Sequence, residues 1–125
     1  MSKLVIEGTW NTDSYEIVEK IPKGFMIWNI GDNMKTDDYI PLCEWKYPDK
    51  VKEGNCDIRR DTLKAIKLDT EEVKLLRKAT AYGVYNLEST KKVVAKGNPS
   101  KDNWYVDTKW DLANKALPIF ERISE

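Results

Sequence analysis

The stretch Asp69–Gly83, DTEEVKLLRKATAYG, decides how this chain is read. Aspartate caps helix N-termini because its carboxylate accepts from backbone N–H groups that have no partner within the helix. Glu72 stands three positions on, in a capping-box-like arrangement. Val73, Leu76 and Thr80 recur at helical spacing, flanked by Leu75, Ala79 and Tyr82. Gly83 supplies the left-handed residue that ends such a helix. The chain beyond it continues in the same style. Asn86 caps a predicted second helix that runs to Lys96 and is ended by Gly97 and Pro99. A third is predicted from about Asp107 to Ile123, with Trp110, Ala113, Leu117 and Phe120 on one stripe. Pro118 lies inside it and predicts a kink or a break after Leu117, because proline has no N–H for the helical ladder.

Upstream of Asp69 the period changes from helical to alternating. Lys3–Glu7 (KLVIE) is short, apolar and β-branched. Tyr15, Ile17, Glu19 and Ile21 alternate with Glu16, Val18 and Lys20, which is strand periodicity. Phe25–Ile30 (FMIWNI) is an apolar run, and Pro22-Lys23-Gly24 before it has turn chemistry, so residues 15–30 predict a β-hairpin. A polar loop covers residues 31–38. Tyr39–Tyr47 predicts a strand that lies at an edge, or is interrupted, at Pro41. A second loop covers residues 48–56. Asp61-Thr62 reads either as a cap over a short turn at Leu63–Ile66 or as part of a strand. A sheet-forming half followed by a helical half is segregated α+β. The expected architecture is a small antiparallel sheet of three to four strands packed against three C-terminal helices, as one domain over residues 1–125.

Composition narrows the function classes. At 125 residues the chain is long enough for one core, and 41% hydrophobic residues with zero net charge do not fit disorder. Residues 1–62 carry 9 basic and 12 acidic groups, residues 63–125 carry 12 and 9, so the chain as a whole does not call for a strongly charged partner. Lysine outnumbers arginine by 17 to 4, and Asn, Ile and Tyr are plentiful. That usage fits an AT-rich genome, such as a low-GC bacterium or a phage or mobile element within one. There are two cysteines, Cys43 and Cys56, too few for a disulfide framework. The N-terminal MSKLVIEGTW lacks the pattern of a secretory signal. No apolar run reaches the roughly 18 residues that span a bilayer. The expected location is the cytoplasm, with both thiols reduced and no membrane association.

Absences exclude familiar chemistry. Without histidine neither a Ser-His-Asp nor a Cys-His pair can be built. Two separated cysteines cannot complete a four-ligand zinc site, and no glycine-rich phosphate loop is present. No cofactor or metal is implied, and the expectation is a protein that is not an enzyme. Glu44-Trp45-Lys46, with Asp32 upstream, resembles the D…(D/E)-x-K core of a nuclease superfamily, whose acids hold Mg²⁺. Here Pro48-Asp49 follows the E-x-K instead of preceding it, and no helix precedes the strands. The acidic loop of Asp32, Asn33, Asp37 and Asp38 has oxygen ligands for a hard cation but not the EF-hand spacing.

Two binding surfaces remain. The favoured one is an aromatic sheet face carrying Trp28, Trp45 and Tyr47, with Tyr39, beside Arg59 and Arg60. The arginines suit planar, bidentate contact with an anion, so the partner would be a protein or a small anionic ligand. The alternative is nucleic acid. Ala79, Gly83 and Val84 fall where a helix-turn-helix wants a small residue, a glycine and an apolar residue, but the apolar positions of the second helix do not follow the motif. Lys91, Lys92, Lys96 and Lys101 form a basic run that could contact phosphates.

Overall fold

The computed structural model describes residues 3–4, 15–28, 38–45, 58–97 and 104–125. Among these residues five strands come first: β1 (Lys3–Leu4), β2 (Tyr15–Val18), β3 (Phe25–Ile27), β4 (Tyr39–Trp45) and β5 (Ile58–Lys67). Three helices follow among the described residues: α1 (Thr70–Ala81), α2 (Leu87–Ala95) and α3 (Trp104–Ile123). This is the expected α+β order. The strands form one sheet in the order β1-β2-β5-β4-β3. The sheet is mixed: β2 runs parallel to β5, while the other pairings are antiparallel.

The hairpin expected over residues 15–30 does not form. β2 and β3 lie on opposite sides of the β5–β4 pair. The turn itself is present, since Phe25 N–H donates to the Pro22 carbonyl at 3.0 Å and Gly24 takes φ +88° at the third turn position. Glycine at positive φ in that position marks a type II geometry, which splays flanking strands where primed turns would pair them. The chain before the turn is held elsewhere. Ile21 bridges Ser124 in parallel, and Glu125 N–H donates to the Ile21 carbonyl. β2 pairs with β5 instead, where Val18 faces Ile66 and Lys64 reaches the Glu16 carboxylate at 3.3 Å.

Pro41 sits in an interior strand, not an edge. β4 lies between β5 and β3. The Pro41 carbonyl accepts from Trp28 N–H at 2.9 Å. A strand residue's N and C=O point to the same side, so the missing N–H also faces Trp28, one residue beyond the end of β3. The ladder on that side has stopped where proline needs it to. Residues 58–67, the second of the two readings offered by Asp61-Thr62, form the longest strand.

α1 follows the sequence closely. Asp69 accepts from Glu72 N–H at 2.9 Å. At the far end Val84 N–H donates to Ala79 and Gly83 N–H to Thr80, a Schellman closure with Gly83 at φ +86°. α2 starts in a capping box: Ser89 N–H donates to Asn86 Oδ1 at 2.7 Å, and Asn86 N–H to Ser89 Oγ at 3.1 Å. α3 begins three residues before the expected Asp107 and continues unbroken through Pro118. Pro118 and Asn114, whose carbonyl loses its usual donor, are both exposed, so water can serve that carbonyl and the helix need not break.

One cluster joins the sheet to the helices. Phe25, Ile27, Ile40, Leu42 and Ile66 meet Val73, Leu76 and Ala79 of α1 and Leu112, Ala113, Ala116, Ile119, Phe120 and Ile123 of α3. On α3 the buried stripe runs through Leu112, Ala116 and Ile119, while Trp110 and Leu117 of the expected stripe are half-buried. The opposite sheet face is buried too, at Met26, Pro41, Cys43 and Ala65. Among the described residues no helix is long and apolar enough to cross a membrane.

Candidate functional site

The structure places the expected site residues unevenly. Trp28 is half-buried and held by its backbone N–H to Pro41. Trp45 and Arg60 lie within β4 and β5, but their side chains fall outside the described part, as do Tyr47 and Lys101 entirely. Arg59 projects from an irregularity in the β4–β5 pairing between Leu42 and Glu44. Thr62 closes this irregularity: its Oγ1 accepts from Glu44 N–H at 3.0 Å and donates to the Arg59 carbonyl at 2.6 Å. The Arg59 guanidinium then reaches Glu44 Oε2 at 3.2 Å and Asp61 Oδ2 at 3.1 Å. The hydrogen bond from Arg59 holds the Asp61 carboxyl below its ordinary pKa, and the same contact raises that of Arg59. Arg59 thus faces two carboxylates within its own chain, which leaves it poorly placed to anchor an outside anion.

Of the nuclease-like residues, Glu44 is engaged by Arg59, while Asp32 and Lys46 lie outside the described residues. Of the acidic loop, Asp38 is described and accepts from Thr70 Oγ1 at 3.0 Å; Asp32, Asn33 and Asp37 are not. No group of three or more Cys, Asp or Glu among the described residues is arranged to hold a metal. Cys43 is fully buried and free. Burial pushes its thiol up to about 12, which keeps it protonated and unreactive. Cys56 lies outside the described residues.

Lys91, Lys92 and Lys96 are exposed on α2, and Lys92 pairs with Glu88 at 3.2 Å one turn away. α1 and α2 each pack chiefly on α3, whereas a helix-turn-helix packs its two helices on each other.

A different surface stands out at the corner where the end of α2 meets the start of α3. Trp104, Tyr105 and Val106 are consecutive and exposed, at 72%, 45% and 39%. They are the only large hydrophobic side chains so exposed among the described residues. Tyr105 lies against Tyr82 with ring centroids 5.1 Å apart and meets the Trp104 ring edge-on at 6.0 Å. Both distances fit favourable aromatic packing. Beside these rings runs a groove of about 280 Å³ lined by Val93, Lys96 and Gly97 of the α2 end and Tyr105, Val106, Lys109 and Trp110 of α3. The Schellman turn carries Gly83, and Lys109 Nζ lies 3.4 Å from where a Cβ on Gly83 would stand. The Trp110 indole N–H is sealed from solvent with no hydrogen-bond partner among the described residues.

The sequence reading missed this surface because it began the third helix at Asp107 and left Trp104-Tyr105-Val106 outside it. A signal was available. Consecutive helical residues are 100° apart, so three large apolar residues in a row span about 200° of arc and cannot all face one core.

No family model, curated protein or solved structure matches this chain.

Proposed function

We propose that this chain is a non-enzymatic interaction module that docks a protein partner at the α2–α3 corner. The observation that carries the reading is the contiguous exposure of Trp104, Tyr105 and Val106 beside an apolar groove. Single exposed apolar side chains are ordinary, but a contiguous, largely aromatic patch at a helix end marks a contact surface. At about 280 Å³ the groove sits at the small end of the roughly 300–1,000 Å³ typical of small-molecule sites, a size that suits one or two inserted side chains. The partner class is the one expected from the sequence; the surface differs from the expected sheet face, whose centre at Met26, Pro41, Cys43 and Ala65 is buried.

A photo-crosslinking residue placed at position 104, in cells of the source organism, is expected to trap a discrete protein species. The same residue at exposed Lys115 on the far part of α3 is not. Equal trapping from both positions, or none from either, defeats the reading. Nuclease treatment before analysis is expected to leave the trapped species unchanged; its loss would move the function to nucleic acid and to Lys91, Lys92 and Lys96.

A further inference from the structure

The groove at the α2–α3 corner has a charge pattern as well as a shape. Its apolar walls come from Val93, Tyr105, Val106 and Trp110, and among the described residues that line it the only charged ones are Lys96 and Lys109. No carboxylate lines it among the described residues. On the same two helices Lys92 pairs with Glu88 at 3.2 Å, Lys115 with Asp111 at 3.0 Å, and Arg122 with Glu72 of α1, while Lys91, outside the groove, has no ion pair among the described residues. Lys96 and Lys109 form no ion pair among the described residues. In a chain whose net charge is zero, the groove is therefore a local positive rim around an apolar slot.

Resting on the docking reading above, we infer that the partner presents an acidic peptide segment with a bulky apolar anchor. The anchor enters between Val93 and Val106 and packs against the Tyr105 and Trp110 rings, while flanking Asp or Glu residues meet Lys96 and Lys109. Complementary charge on the rim steers encounter and fixes register, and the buried anchor supplies affinity. A second copy of this chain is a poor occupant, because a two-fold contact sets the same patch against itself and brings Lys96 and Lys109 towards their own copies. A flat lipid surface would cover the Trp104 ring but could not fill the concave slot.

The test is selection from a random peptide library displayed on phage against the whole chain, followed by synthesis of the enriched peptide. Enriched sequences are expected to carry Leu, Phe or Trp with acidic neighbours. Binding, read from the change in tryptophan fluorescence, is expected to weaken about tenfold or more in the double variant Lys96→Glu/Lys109→Glu and to be lost in Val106→Asp. Circular dichroism of each variant should match the parent. Peptides without acidic enrichment, or binding indifferent to the lysine reversal but lost in Val106→Asp, overturn the acidic partner while leaving the docking surface in place. Binding indifferent to both variants, or no enriched peptide, overturns both. Tighter binding of oligo-dT or of phosphatidylserine vesicles than of the enriched peptide, lost in the lysine variant, replaces the peptide by that ligand.

Discussion

Phe120 and Trp104 belong to the same helix, yet Phe120 has no exposed surface and Trp104 has 72% of its surface open. The C-terminal part of α3 repeats its apolar residues at intervals of three and four, through Leu112, Ala113, Ala116, Ile119, Phe120 and Ile123. All six fall on one face and meet α1 and the sheet. The first turn instead stacks three apolar residues in succession, which a single neighbour cannot cover. Apolar content is therefore not what separates core from surface in this helix. The spacing does, and the two ends give the same residue types opposite energetic roles.

That contrast can be broken by mutation. Phe120→Ala removes a fully buried ring from the centre of the cluster and is expected to cost about 3–5 kcal/mol, read as a lowered denaturant midpoint at unchanged slope. A loss below about 1 kcal/mol would mean that the cluster is not the centre of stability. The sheet's second face offers a kinetic counterpart. In a Cys56→Ser variant, Cys43 with its thiol pushed up to about 12 should react with a disulfide reagent at pH 8 on the order of a thousandfold more slowly in the native state than when unfolded. Rapid native labelling would show that this face opens.

Smaller effects sharpen the comparison near the corner. Asn86→Ala removes the side-chain acceptor that caps α2 and should cost about 1 kcal/mol, seen as a lower thermal midpoint. Acid sensitivity should come from the caps and the bulge. The hydrogen bond from Glu72 N–H to Asp69 and that from Arg59 to Asp61 hold both carboxyls below their ordinary pKa. Groups depressed in the folded state stabilise it above the unfolded carboxylate range, about pH 4, and lose that contribution as pH falls through the folded values. The thermal midpoint should accordingly drop below about pH 4, and less steeply in Asp69→Asn, which keeps the capping acceptor without the charge. An equal drop in both proteins would place the acid sensitivity elsewhere. Smallest of all, Trp104→Ala should change stability by no more than about 0.5 kcal/mol. A large loss there would make Trp104 part of the core and remove the docking surface.

What could be read from the residues follows a pattern. The caps at Asp69 and Asn86 and the stop at Gly83 were legible because each depends on backbone groups within four residues of itself. The strand at Tyr15–Val18 was legible as a strand, but its partner was not. Alternation says which side chains share a face; it carries no label for the neighbouring strand, so β2 could be read as pairing with β3 when it pairs with β5. The site residues divide in the same way. Arg59 was visible as an unusual residue, whereas Glu44 and Asp61 as its partners depend on the β4–β5 irregularity.

By itself the sequence determined the class of fold, the termini of α1, the start of α2 and the absence of histidine chemistry, since these rest on local hydrogen bonding, period and composition. Only the tertiary structure decided the strand order, the tolerance of Pro41 beside the end of β3 and of Pro118 on an exposed helix face, and the exposure of Trp104, Tyr105 and Val106. Each of those depends on what lies across space from a residue, and a one-dimensional pattern fixes a face without fixing what covers it.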